Sequence, residues 1–154
     1  MINAPATLAA VMDDALREQL TGIYRDTRTI AVVGASADES KAAHRIPAYL
    51  QQQGYRIRPV NPRGGELFGE PVATSLAQVD GPVDVVDVFR PAAEAADIAR
   101  QAVAIGAKVL WLQLGIADEE ARRIAGDAGL TVVMDTCMGA AHRELGLGPV
   151  PASA

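Results

Sequence analysis

The chain has 154 residues, 49 % of them hydrophobic and 21 % charged, with a net charge of −5. That length suits one domain with a proper core and is short for two. The acidic balance argues against a nucleic-acid or anionic-membrane surface as the main partner. A single cysteine, Cys137, excludes an internal disulfide and fits a reducing compartment. The first twenty residues carry Asp13, Asp14 and Glu18 and lack a basic stretch followed by an apolar block, unlike a secretory leader. No apolar run approaches membrane-spanning length. The expected location is the cytoplasm.

Leu8, Met12, Leu16, Leu20 and Tyr24 recur every four residues, which predicts an amphipathic helix docked on the domain. Strand-like and helix-like stretches then alternate. Thr29–Val33 reads as a buried strand. Residues 43 to 53 read as a helix closed by Gly54, with Pro47 expected in its first turn. Tyr55–Val60 is a second strand, ended by the Asn61-Pro62-Arg63-Gly64-Gly65 turn. An irregular crossover follows to Val79, with a short helical turn after Ser75. Val83–Phe89 is a third strand, whose Val-Asp-Val-Val-Asp-Val pattern predicts one less buried face. A helix opens at Pro91 and stops at Gly106. Lys108–Leu112 is a fourth strand, near-continuously apolar as parallel strands covered on both faces are. Asp118 caps a third helix of the alternation, which ends at Gly129. Leu130–Met134 is the fifth strand. From Gly139 the chain is rich in Gly, Ala and Pro and is expected to fray beyond Gly148.

This alternation predicts a Rossmann-like, doubly wound α/β fold with a parallel sheet of about five strands. The expected organisation is an N-terminal helical segment (1–28), one domain (29–145) and a flexible tail (146–154).

In such sheets ligands bind beyond the carboxyl ends of the strands, where strand order reverses. The residues at those ends are therefore the candidates: Gly34, Ala35 and Ser36; Asn61, Pro62 and Arg63; Phe89 and Arg90; Gln113, Leu114 and Gly115; and Asp135 to Cys137. Lys41, His44 and Arg45 lie at the start of the helix after the first strand. Cations there oppose the helix dipole unless an anion sits between them, and phosphate is the obvious anion. Ser36 lacks the G-x-S-x-G context of a nucleophile and is read as a phosphate-contacting hydroxyl. Trp111 is read as core.

A G-x-G-x-x-G fingerprint would indicate NAD, but the six residues from Gly34 are Gly-Ala-Ser-Ala-Asp-Glu. The carboxylate that holds the ribose hydroxyls is also missing after the second strand, where Asn61-Pro62-Arg63 stands. Arg63 suits a ligand with a phosphate on its ribose, as in NADP and coenzyme A. No metal-ligand spacing and no nucleophile–base pair is evident. Cys137 reads first as a small buried hydrophobe. At the ligand mouth it would instead be a thiol able to form a mixed disulfide with a thiol ligand.

The segments I-A-V-V-G-A-S (Ile30–Ser36), P-V-N-P (Pro59–Pro62), V-D-V-V-D-V-F-R (Val83–Arg90), G-A-K-V-L-W-L-Q-L-G (Gly106–Gly115) and M-D-T-C (Met134–Cys137), with Arg45, resemble the small single-domain CoA-binding proteins of the YccU-like family. The resemblance spans about residues 28 to 145. More distantly, the same stretch is similar to the N-terminal CoA-binding domain of the succinyl-CoA ligase α subunit. That likeness implies coenzyme A or an acyl-CoA as ligand. Gly34 to Ser36 would meet its phosphates, Asn61 to Arg63 its ribose and adenine, and Gln113 to Gly115 its pantetheine, with Phe89 and Arg90 at the mouth. The ligase's phosphorylated histidine lies in a second domain, and His142 does not correspond to it. The expectation is a non-catalytic CoA-binding protein acting as carrier, sensor or partner of a CoA enzyme. The alternatives are a minimal NADP-dependent oxidoreductase and a detached CoA-binding subunit of an acyl-CoA ligase. A protein partner or homo-oligomer stays open.

Overall fold

The computed structural model of the protein describes residues 2–3 and 12–150. Leu8, part of the expected N-terminal helix, and residues 151–154 of the expected tail lie outside the described residues. The elements in chain order are β1 (Ile2–Asn3), α1 (Asp14–Asp26), β2 (Thr29–Val33), α2 (Ala42–Gln52), β3 (Arg56–Val60), β4 (Glu66–Leu67), β5 (Glu70–Pro71), a 3-10 turn (Leu76–Gln78), β6 (Val85–Val88), α3 (Ala92–Ala104), β7 (Val109–Leu112), α4 (Glu119–Asp127), β8 (Thr131–Met134) and α5 (Met138–Leu145).

The main sheet is parallel with order β1-β8-β7-β6-β2-β3. Its five longer strands are those expected from the alternation, and the short β1 joins β8 at one edge. Strand order reverses between β2 and its two neighbours, since β3 pairs on one side of it and β6 on the other. This is the switch point of a doubly wound sheet.

Side chains alternate across the sheet, so each strand feeds two cores. Ile30, Val32, Ile57, Val85, Trp111 and Val133 pack under α1, α2 and α5 with Leu20, Tyr24, Leu50 and Met138. Ala31, Val60, Val86, Val88, Leu110, Leu112 and Val132 pack under α3 and α4 with Ala95, Ala99, Ala121 and Ala125. The small residues of α3 and α4 let these helices approach the sheet closely.

Helix ends follow local chemistry. Asp13 caps α1 by accepting the Leu16 N–H at 2.8 Å, and Asp118 caps α4 by accepting the Ala121 N–H at 2.9 Å. Helix α5 was not expected in the Gly/Ala-rich stretch after Gly139. It starts at Cys137, whose Sγ accepts the Ala140 N–H, and ends at Gly146 in the left-handed region. Gly139 is what lets α5 lie close to α2, because a Cβ there would come 3.1 Å from Ile46 Cδ1. Beyond α5, the Val150 N–H donates to the Gln53 carbonyl at 2.6 Å.

Two further expectations need correction. All four residues of β6 are buried, because the strand is central and helices cover both faces, so it has no less buried side. Pro47 lies in the second turn of α2, not the first.

β3 is an edge strand. Its Arg56, Arg58 and Val60 amides face β2, so its odd-numbered amides face outward. There the Asn61 N–H donates to Ala73 and the Ala73 N–H donates to Pro59. The crossover also holds an unexpected hairpin, β4–β5, turning at Phe68 (φ +56°) and Gly69 (φ +74°). Two positive φ values in a two-residue loop mark a type I′ turn.

Candidate functional site

A cavity of about 450 Å³ opens at the carboxyl ends of β2, β3 and β6, at the switch point. Gly34, Ala35, Ser36, Lys41, Ala43, Asn61, Pro62, Arg63, Phe89, Arg90 and Glu94 line it. A second hollow of about 360 Å³ shares Gly34, Pro62, Arg90 and Glu94 and extends the groove along α3.

Gly34 continues the ladder past the end of β2, its N–H donating to the Val60 carbonyl at 3.0 Å. Its φ is +91°, and a Cβ there would come 2.9 Å from Arg90 Cδ and 3.3 Å from the Phe89 carbonyl oxygen. Both the conformation and the close approach require glycine. The Ala35 carbonyl accepts from Asn61 Nδ2 at 2.8 Å, and Asn61 Oδ1 accepts the Arg63 N–H at 2.9 Å. Asn61 is thus the clamp that joins the loops after β2 and β3.

Ser36 Oγ accepts the Asp38 N–H at 3.0 Å, which leaves its own O–H free to donate. His44 Nδ1 lies 2.8 Å from the Ser36 carbonyl oxygen and donates to it. The Ser36 N–H donates to the Ala43 carbonyl at 3.2 Å. That last bond exists because of Pro47. In a regular helix the Ala43 carbonyl accepts from residue 47, but proline has no N–H and its ring crowds that carbonyl outward. The freed acceptor turns to Ser36 and ties the loop to α2.

The N-terminal turn of α2 faces the cavity through Lys41 and Ala43. Lys41 occupies the N-cap without a side-chain cap bond, so the first amides of α2 keep no intrahelical partner. Lys41, Arg63 and Arg90 bring three cations to the cavity against one carboxylate, Glu94. Arg90 binds Glu94 at 2.7 Å, and this hydrogen bond holds the Glu94 carboxyl below its ordinary range. Lys41 and Arg63 have no acidic partner within 4 Å among the described residues.

The remaining candidates lie elsewhere. Arg45 is exposed and turns its guanidinium to the Ser40 carbonyl. Gln113 is buried, its amide nitrogen donating to Asp87 Oδ1 at 2.5 Å and its oxygen accepting the Met138 N–H. Leu114 is 53 % exposed. The Gly115 N–H donates to Asp135 Oδ1 at 2.6 Å, which joins the ends of β7 and β8. Gln113 to Gly115 thus sit at the strand ends but outside the cavity lining. Cys137 is half-buried at the start of α5, also outside it. Trp111 is core, its indole N–H donating to the Thr136 carbonyl at 2.7 Å.

Reading strand ends alone missed Glu94 and Ala43. Glu94 was legible as the i+4 partner of Arg90. Asp87 was also missed: it is fully buried in mid-sheet, with Oδ2 lacking any hydrogen-bond partner. Burial pushes its pKa up to about 7, against the lowering effect of the Gln113 hydrogen bond.

The sheet and the cavity at its switch point define a doubly wound α/β domain. The profile of the CoA binding domain family matches residues 28–143, and the chain belongs to that family. It is 35 % identical over 131 residues to YneT of Bacillus subtilis, covering 85 % of this chain and 97 % of that protein. A Thermus thermophilus structure is similar at 41 % identity and a TM-score of 0.81, covering 87 % of this chain and 99 % of that one. The dinucleotide-forming acetyl-coenzyme A synthetase 1 of Ca. Korarchaeum cryptofilum is similar at 27 % identity and a TM-score of 0.63. That match covers 70 % of this chain but only 25 % of the synthetase. Among the described residues no helix is long and apolar enough to cross a membrane.

Proposed function

We propose that the protein binds coenzyme A or an acyl-CoA in the switch-point cavity, without catalysing a reaction, as a carrier, sensor or partner of a CoA enzyme. The observation that carries this reading is the cation-rich cavity formed by Gly34 to Ser36, Lys41, Arg63 and Arg90, in a chain of the CoA binding domain family. The Ser36 O–H and the first turn of α2 suit the pyrophosphate. Arg63 suits the 3′-phosphate. The pantetheine arm runs past Phe89 toward the exposed Leu114. His44 bonds the Ser36 carbonyl rather than its hydroxyl, which supports a positioning role for both residues rather than nucleophilic chemistry.

Calorimetric titration tests the reading. Coenzyme A is expected to bind more tightly than NADP or NAD. Dephospho-CoA is expected to bind about tenfold more weakly than coenzyme A, the value of one charge-assisted contact. Arg63→Ala should erase that difference. Tighter binding of NADP than of coenzyme A would refute the assignment, and thiol release from acetyl-CoA above the buffer rate would refute the non-catalytic part.

A further inference from the structure

The opposite end of the sheet carries a separate cavity of about 290 Å³, near the lower bound of small-molecule sites at roughly 300 Å³. It lies between the C-terminal part of α1, Tyr55 just before β3, and segment 147–150. Leu147, Pro149 and Val150 form an apolar wall, and Tyr24 and Tyr55 supply aromatic rings. The wall is held in place: the Val150 N–H donates to Gln53, and Val150 packs so closely on Gly54 that a Cβ there would come 3.2 Å from its own.

Two cations border this cavity, Arg25 and Arg28, and none of its lining residues is acidic. Neither guanidinium lies within 4 Å of a carboxylate among the described residues. Arg28 Nη1 donates to the Arg25 and Thr27 carbonyls. Those bonds fix the guanidinium and leave Nε and Nη2 for another acceptor.

Tyr55 is the second observation. It is only 4 % exposed, yet its hydroxyl makes no hydrogen bond among the described residues. The neighbouring phenols differ: the Tyr24 hydroxyl donates to the Met138 carbonyl, and the Tyr49 hydroxyl meets His142 Nδ1. A tyrosine buried to this degree normally satisfies its hydroxyl, and the Tyr55 hydroxyl, which keeps some exposure of its own, has no protein partner among the described residues. Burial pushes the Tyr55 pKa up to about 12, so it stays a neutral donor.

A guanidinium fork matches the flat geometry of a carboxylate, and the wall suits an apolar body. We propose that this cavity binds a small carboxylate with an apolar body, the carboxylate held by Arg25, Arg28 and the Tyr55 hydroxyl. The site shares no residue with the switch-point cavity and does not depend on the CoA reading.

The test is amide NMR titration of the full chain with phenylacetate and hexanoate, with phenylacetamide as the neutral control. Saturable shifts at Tyr55, Gly148 and Val150 are expected in the millimolar range or tighter. Tyr55→Phe keeps the ring and should weaken both acids about tenfold. Arg25→Gln, on the exposed face of α1, should do the same and covers the case in which Tyr55→Phe fails to fold. Saturating coenzyme A should leave the acid titration unchanged. Absence of saturable binding, equal binding of phenylacetamide, indifference to both substitutions, or displacement by coenzyme A would each overturn the proposal. Because the titration is run with and without coenzyme A, failure of either site is seen separately.

Discussion

At Gly34 one methyl group is enough to disturb the cavity. The residue sits at φ +91°, and the space a Cβ would need holds the Arg90 stem and the Phe89 carbonyl. Gly34→Ala should therefore lose about 1–3 kcal/mol of stability from backbone strain and overpacking. It should also weaken coenzyme A binding by moving Arg90. Denaturant melts and a CoA titration of the same variant check both effects. Asp87 makes a different case. Its pKa of about 7 in the folded chain lies above the ordinary 3.8, so the folded state holds a proton that the unfolded state has released. Its contribution is complete below about pH 4 and is lost as pH rises through 7. Asp87→Asn should thus stabilise the protein by a few kcal/mol at pH 8, to order of magnitude, and change little at pH 4. The difference between the variant and the parent isolates Asp87, because burial lowers the pKa of His142 and gives the total stability an opposing slope below about pH 6.5. Equal melts of variant and parent at pH 8 would contradict the assignment.

Among the elements, α2 is set by a residue that ordinarily breaks helices. Pro47 releases the Ala43 carbonyl to Ser36. Pro47→Ala restores the competing N–H and should loosen the loop by about one hydrogen bond, ~1 kcal/mol. Faster hydrogen exchange at the Ser36 amide, with a matching loss of CoA affinity, is the expected result. The sequence showed where this helix lies but not why its proline is interior, since the partner is a loop amide that no helical periodicity reveals. β2 was legible to the residue, because a β-branched run ends in glycine. β6 was misjudged because Asp87 looks like a solvent-facing residue, whereas its place between β2 and β7 is a property of strand order. α5 escaped because Gly139 and its alanines read as loop. Their smallness serves contact with α2, and the Met138, Ala141, His142, Leu145 spacing was the overlooked signal. The strand-end rule brought Gly34 to Ser36, Asn61 to Arg63, Phe89 and Arg90 together at one cavity. Gln113 lies outside that cavity's lining, its amide occupied by a buried carboxyl that spacing alone does not reveal.

For the whole molecule, ligand binding should be read as stability. A ligand present at a hundred times its Kd adds about 2.7 kcal/mol to the folded state. For a domain of 154 residues that corresponds to a rise in Tm of roughly 5–11 °C. Coenzyme A should produce this rise in differential scanning fluorimetry, and NAD at the same concentration should not. The outer edge of β3 has a further consequence. Of the three amides that would face a newcomer there, Asn61 is bound to Ala73, Pro59 has no hydrogen to offer, and only Ile57 remains. A foreign strand laid along this edge would find almost no donors. The sheet therefore cannot grow in that direction, and at high concentration the protein is protected there from the edge-to-edge stacking that seeds fibres.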